Sequence, residues 1–132
     1  MASLIYLDTH VVAWLFAGEV NLLSPLARSV IKGNDLYISP IVGLELQFLF
    51  EIGRTRSPAQ EVIDTLTRDL ALIVCDLPFQ DVVRAAWRES WTRDPFDRIL
   101  VSQARLRGAP LLTKDSTIRK RYEDAVWSRP RS

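Results

Sequence analysis

The stretch SLIYLDTH, residues 3–10, sets the reading of the chain. Four largely apolar residues, Leu4, Ile5, Tyr6 and Leu7, run without a polar break and end at Asp8 and Thr9. An unbroken apolar run of this length is the pattern of a buried strand. An acid and a hydroxyl residue directly after it are how a helix begins. A strand passing straight into a helix, with no hairpin turn between, belongs to a parallel sheet rather than an antiparallel one.

The same alternation continues along the sequence. A helix over residues 9–16 stops near Gly18, and Ser24-Pro25 opens a short helix that Gly33-Asn34 ends. DLYIS (35–39) is a second strand. Ser39-Pro40 supplies an N-cap with proline at the first helical position, and Gly53 a C-cap. A further helix covers about residues 57–69, ALIVC (71–75) is a third strand, and helices follow over 78–90 and 95–107, the latter closed by Gly108. APLLT (109–113) is a fourth strand, residues 117–121 form a short helix, and DAVW (124–127) is a possible last strand. Repeats, low-complexity tracts and long linkers are absent, so residues 1–132 read as a single domain. The predicted class is α/β, a central parallel sheet with helices on both faces. Sheets of this kind bind ligands beyond the carboxyl ends of their strands.

Composition narrows the function classes. Apolar content of 48% and charged content of 25% are those of a soluble globular protein. The apolar run 38–50 is broken by Pro40, Gly43, Glu45 and Gln47 and is too short for a bilayer, so no membrane role is expected. The N-terminus lacks a basic segment and cleavage site, and a single cysteine, Cys75, sits in an apolar run as core. A cytoplasmic protein is expected. Net charge is only +1, but the first 78 residues carry five basic against nine acidic side chains and the remainder twelve against seven. That basic half, which includes Arg105, Arg107, Lys114, Arg119, Lys120 and Arg121, permits a phosphate-bearing partner as well as an ordinary solvated face.

The acids are the residues with chemistry to offer. Glu45 has Ile41, Val42, Phe48 and Leu49 at helical i±3 and i±4 spacing, which aims its carboxylate at the face expected to be buried. A buried carboxylate needs a proton, a partner or a metal; a salt bridge to an arginine is the structural alternative. In RDPFDRIL, residues 93–100, Asp94 is the expected N-cap and Asp97 the third helical residue. Capping and dipole effects of about 0.3–2 kcal/mol account for both. Asp97 also lies in line with Val101 and Ala104, on the side facing the sheet, so capping and ligand binding both stay open for it. Asp8 and Asp115 each follow an apolar strand and are equally open; Asp76 does too, and reads as a cap for the next helix. Convergence would change the balance. Carboxylates about 4 Å apart repel by roughly 4 kcal/mol at an effective dielectric of about 20, which cations or protons must offset. All-oxygen ligands favour Mg²⁺ or Mn²⁺, and one histidine and one cysteine serve zinc poorly.

YLDTHVVAWLF (6–16), ISPIVGLELQFLFEIGR (38–54), RDPFDRILVSQARLRGAPLLTKD (93–115) and the closing AVW (125–127) together resemble a PIN-domain ribonuclease, a toxin of the VapC type from a type II toxin–antitoxin pair. The resemblance covers nearly the whole chain and implies a sheet of order 3-2-1-4-5. It implies that Asp8, Glu45, Asp97 and Asp115 are the catalytic and metal-holding acids, with Asp94 and Thr9 accessory. It further implies Mg²⁺ (or Mn²⁺), an RNA substrate near Arg98 and Lys114, and a metal-dependent endoribonuclease activity. A cognate VapB-type antitoxin, a homodimer, and a heterotetramer or larger assembly with the antitoxin follow from it as well. Trp14, Leu15, Phe16, Phe48, Leu49 and Phe50 are then either core or partly a groove for the antitoxin, one of whose arginines would reach the acids. Ser102 stands where alanine is usual, a small change, and His10 reads as structural or as a substrate-edge residue. A haloacid-dehalogenase-type phosphotransferase would need a second aspartate where His10 stands, and a receiver domain an acidic pair that LDTH lacks. The remaining alternative is a catalytically silent PIN module that binds RNA or protein.

Overall fold

The computed structural model describes residues 3–128. Its strands are β1 (Leu4–Leu7), β2 (Asp35–Ile38), β3 (Ile73–Val74), β4 (Leu111–Leu112) and β5 (Ala125–Val126). They form one five-stranded parallel sheet in the order β3-β2-β1-β4-β5, as expected. The helices are α1 (Thr9–Ala17), α2 (Pro25–Gly33), α3 (Pro40–Glu51), α4 (Ala59–Leu70), α5 (Phe79–Ala86), α6 (Pro95–Arg107) and α7 (Ser116–Arg121). A 3-10 turn at Val20–Leu22, with no counterpart in the expected elements, joins α1 to α2. Strand order reverses at β1, so right-handed crossovers carry helices to both faces and open a crevice between β1 and β4.

β1 is central because nothing in it needs water: Ile5, Tyr6 and Leu7 are all at most 1% exposed. Leu36 and Ile38 of β2, Leu111 and Leu112 of β4, and Val101 and Ala104 of α6 close around it. Buried polar groups are tied together across elements. Tyr6 donates to Cys75 Sγ at 2.8 Å, and Ser39 donates to Gln103 Oε1 at 2.6 Å. The second bond fixes the start of α3 against α6. Gly43 keeps α3 close to α4, since a Cβ there would lie 3.3 Å from Ile63 Cδ1.

Several boundaries move for physical reasons. The expected strand over 71–75 shrinks to two residues because β3 is an edge and pairs only with β2. The helix expected over 78–90 ends at Ala86. Asp76 does not cap it, because Pro78 occupies that place and Asp76 lies outside, 3.9 Å from Arg107. α3 is capped by Ile52 rather than Gly53, which takes the left-handed conformation one residue later. The helix expected over about 57–69 starts at Ala59 after Pro58, and with no side-chain cap of its own the Ala59 amide donates to Gln47 Oε1 on α3. Among the described residues no helix is long and apolar enough to cross a membrane.

Candidate active site

The carboxyl ends of β1 and β4 meet through one threonine. Asp8 caps α1: its Oδ1 accepts from the Thr9 amide at 2.6 Å, and its Oδ2 accepts from the hydroxyl of Thr113 at 2.6 Å. The same Thr113 oxygen accepts from the Asp115 amide at 3.1 Å, so a single hydroxyl links the acids that follow the two strands. Thr9 turns its own hydroxyl to Glu45 Oε1 at 2.5 Å. A continuous chain Asp115–Thr113–Asp8–Thr9–Glu45 therefore spans the crevice.

Asp97 enters from the first turn of α6. Asp94 is the cap of that helix, accepting from the amides of Phe96 at 2.8 Å and Asp97 at 3.4 Å, which leaves it exposed on the rim. The Asp97 carboxylate has no hydrogen-bond or ion-pair partner among the described residues. Burial, and then the negative charges of Asp94, Asp8, Asp115 and Glu45, push its pKa up from 3.8 to about 7. Asp8 is raised by burial and further by Asp115, against the Thr113 hydrogen bond and the nearby His10. Glu45 is raised by burial and by Asp8 and Asp94, against the Thr9 hydrogen bond and His10. These mutual effects place all the predicted acids in one electrostatic neighbourhood.

The expectation of a buried face around Glu45 needs correction. Val42 is buried, but Ile41 and Leu49 are only partly covered, and Phe48 is exposed with its ring 6.2 Å from that of Phe96. Glu45 is half-buried and held by a hydroxyl, not by the arginine of the structural alternative. Asp115 is exposed and caps α7 through the Ile118 amide at 2.9 Å. Arg98 spends its Nε on the Thr92 carbonyl at 2.8 Å, while Lys114 is exposed at the rim. Of the basic half, Arg105 is taken by Glu89 and Glu123, and Arg107 packs over Tyr37. Trp14, Leu15 and Phe16 pack against the core, whereas Phe48 and Phe50 are exposed. Thr113 is the residue that reading the sequence did not single out. The signal was a hydroxyl residue ending an apolar strand two positions before an acid, TKD.

No group of three or more His, Cys, Asp or Glu side chains among the described residues is close enough to form a ready-made metal cage. The donor set nonetheless fits a hard cation. It is all oxygen, one member, Asp97, has no partner, and the charges of the other acids all oppose its ionisation. Mg²⁺ keeps much of its water and is commonly held by one or two carboxylates together with substrate phosphates, so a closed cage is not required.

A five-stranded parallel sheet with acids gathered where its strand order reverses defines an α/β protein with an anionic crevice. The PIN domain profile matches residues 5–124, and the chain belongs to the PIN domain family. The chain is similar in fold to VapBC2 from Rickettsia felis, solved with a DNA fragment from its promoter, with a TM-score of 0.59, 18% identity, and coverage of 95% of this chain and 99% of that one. A toxin–antitoxin complex from Klebsiella pneumoniae gives a TM-score of 0.60 at 16% identity, covering 92% and 95%. VapBC-1 from nontypeable Haemophilus influenzae gives 0.58 at 18% identity, covering 95% and 96%. Among curated proteins no sequence match is found.

Proposed function

We propose that the chain acts as one domain, a divalent-metal-dependent endoribonuclease that is the toxin of a VapBC-type pair. The observation that carries this reading is the Asp97 carboxylate, left without a partner while four other acids oppose its ionisation. A fold that used these acids only as caps would have no reason to aim them at one another.

The chain's residues then divide the work. Asp8 and Asp97 would hold Mg²⁺ or Mn²⁺, with Glu45 and Asp115 completing the anionic wall and Asp94 and Thr9 accessory. When bound, the ion supplies Lewis acidity toward the scissile phosphate and lowers the pKa of the attacking water. Thr113 and the Thr9 amide hold both oxygens of Asp8, so its orientation is set before any ion binds. Glu45 keeps Oε2 free while Thr9 holds Oε1, and its raised pKa suits it to accept a proton from water in the crevice. Lys114 and the outer nitrogens of Arg98 offer positive charge to the RNA backbone, and single-stranded or loop RNA exposes the base edges that a duplex hides.

The partner reading rests on the toxin–antitoxin neighbours and on an apolar strip of α3. Leu44 is 60% and Phe48 47% exposed, which fits an antitoxin segment or a second copy of the chain, in a homodimer or a larger complex. The second reading, a silent PIN module, draws on the local hydrogen bonds that satisfy Asp8, Glu45 and Asp115. Incubation of purified protein with structured RNA and Mn²⁺ or Mg²⁺, with and without chelator, decides between them. Cleavage abolished by chelator and by Asp8→Asn or Asp97→Asn supports the nuclease. Cleavage surviving in the chelated sample and in both variants overturns it, and metal binding without cleavage leaves the silent module.

A further inference from the structure

Beside the acids stands a second cluster, of which the reading above uses only Lys114. His10, exposed and next to Thr9, lies 6.1 Å ring to ring from Trp14, one helical turn along α1. The two rings are inclined by 50°, so they open a wedge instead of covering each other. Trp14 rests on the buried Trp127 at 6.1 Å, which braces it from the core side while it stays partly exposed. Lys114 brings its Nζ to 6.0 Å from the same indole, at the outer limit of a cation–π contact. Neither the His10 nor the Lys114 side chain makes a hydrogen bond or ion pair among the described residues.

The place of this ledge is fixed by its neighbours. His10 directly follows Thr9, whose amide donates to Asp8 and whose hydroxyl donates to Glu45. Lys114 sits between Thr113, which holds Asp8, and Asp115. An exposed imidazole, a partly exposed indole and an ammonium at the mouth of an anionic crevice suit a ligand that is flat, apolar on its faces and anionic at one edge. A nucleotide is such a ligand: bases stack on aromatic side chains regardless of sequence, while a cation takes the phosphate. A docked peptide would use the faces but has no general need for the ammonium.

Resting on the nuclease reading above, we infer that His10, Trp14 and Lys114 form a base-stacking subsite that seats the nucleotide flanking the scissile phosphate of single-stranded RNA. They are positioning residues. His10 and Trp14 hold the base, and Lys114 holds the phosphate on the crevice side.

The test uses the full chain carrying Asp97→Asn, with Mg²⁺ present, so that binding is read without cleavage. Fluorescence anisotropy compares a labelled eight-residue oligoadenylate with an abasic strand of the same length. The base-bearing strand is expected to bind about tenfold more tightly. His10→Ala and Trp14→Leu should each remove much of that advantage and Trp14→Phe restore it, while Lys114→Gln should weaken both strands alike and lower the salt slope by about one. His10 is exposed, so its variant reports even if Trp14→Leu fails to fold. Equal binding of the two strands, or an advantage untouched by His10→Ala and Trp14→Leu, overturns the subsite. Loss of antitoxin binding in the Trp14 variants with RNA binding unchanged overturns it too, assigning the ledge to a protein partner. With Asp97 restored, Trp14→Leu should raise KM for RNA by more than it lowers kcat. Base-dependent binding by a chain that never cleaves would sink the nuclease reading and leave the subsite standing.

Discussion

Replacing Asp97 by asparagine should stabilise the metal-free protein at neutral pH. Asp97 titrates near 7 against 3.8 for an ordinary aspartate. At about 1.36 kcal/mol per pKa unit the whole difference is about 4 kcal/mol. The side chain is half open to water, and screening removes at least half of that, leaving about 1–2 kcal/mol. Against it stands the loss of a negative charge in the first turn of α6, worth about 0.3–1 kcal/mol. The net gain is about 1 kcal/mol, or roughly 3–5 °C in Tm for a chain of this size. A pKa raised by folding means the folded state holds the proton more tightly than the unfolded one. Its contribution is therefore fully present below about pH 4 and lost as pH rises through about 7. The variant's advantage should appear over that window and vanish below it. Thermal melts in chelator between pH 4 and 8 read the difference directly, and added Mg²⁺ should raise the wild-type Tm more than the variant's. A variant no more stable than wild type at pH 8, or an advantage that persists unchanged at pH 4, would refute the reasoning.

Thr113→Val should leave Asp8 without its buried hydroxyl donor, costing about 1–3 kcal/mol in denaturant unfolding and about 10–100-fold in metal affinity by calorimetry. Ser102→Ala should stabilise the fold by about 1 kcal/mol, since the Ser102 hydroxyl is buried with no partner and alanine is the better helix former; a loss in urea melts would contradict this. Ala71→Gly should also stabilise, by about 0.5–1 kcal/mol, because Ala71 closes α4 at a φ of 55° that a Cβ disfavours; an unchanged or lower Tm counts against it.

Local grammar made most of the fold legible. Ser24-Pro25, Ser39-Pro40 and Asp94-Pro95 each open a helix where hydroxyl or carboxylate capping and a fixed φ predict it. What local grammar could not state was how much of each apolar run a neighbour would pair. The third strand kept two residues of five because pairing is a property of the sheet, not of ALIVC. The site was legible to the same degree. Asp8 and Asp115 follow from strand ends, but the hydroxyl of Thr113 that joins them is a contact between residues 105 positions apart, invisible until the register of β1 and β4 is known. Glu45 was found through neighbours taken for core, although Phe48 proved exposed; the hydroxyl that holds it, Thr9, comes from α1 rather than from its own helix.

The contrast between hydroxyls and guanidiniums bears on what the acids are for. Arg105 closes on Glu89 and Glu123, and Arg107 reaches toward Asp76, all away from the crevice. Among the described residues no salt bridge involves Asp8, Glu45, Asp97 or Asp115. An arginine brought to Asp97 would have favoured its charge and lowered its pKa, turning the crevice into a buried ion pair complete in itself. Thr9 and Thr113 do something different. They orient carboxylates with neutral donors, so geometry is fixed while the negative charge stays uncancelled. The acids thus remain a demand on something outside the chain, and Asp97, the one with no donor at all, is where that demand is greatest.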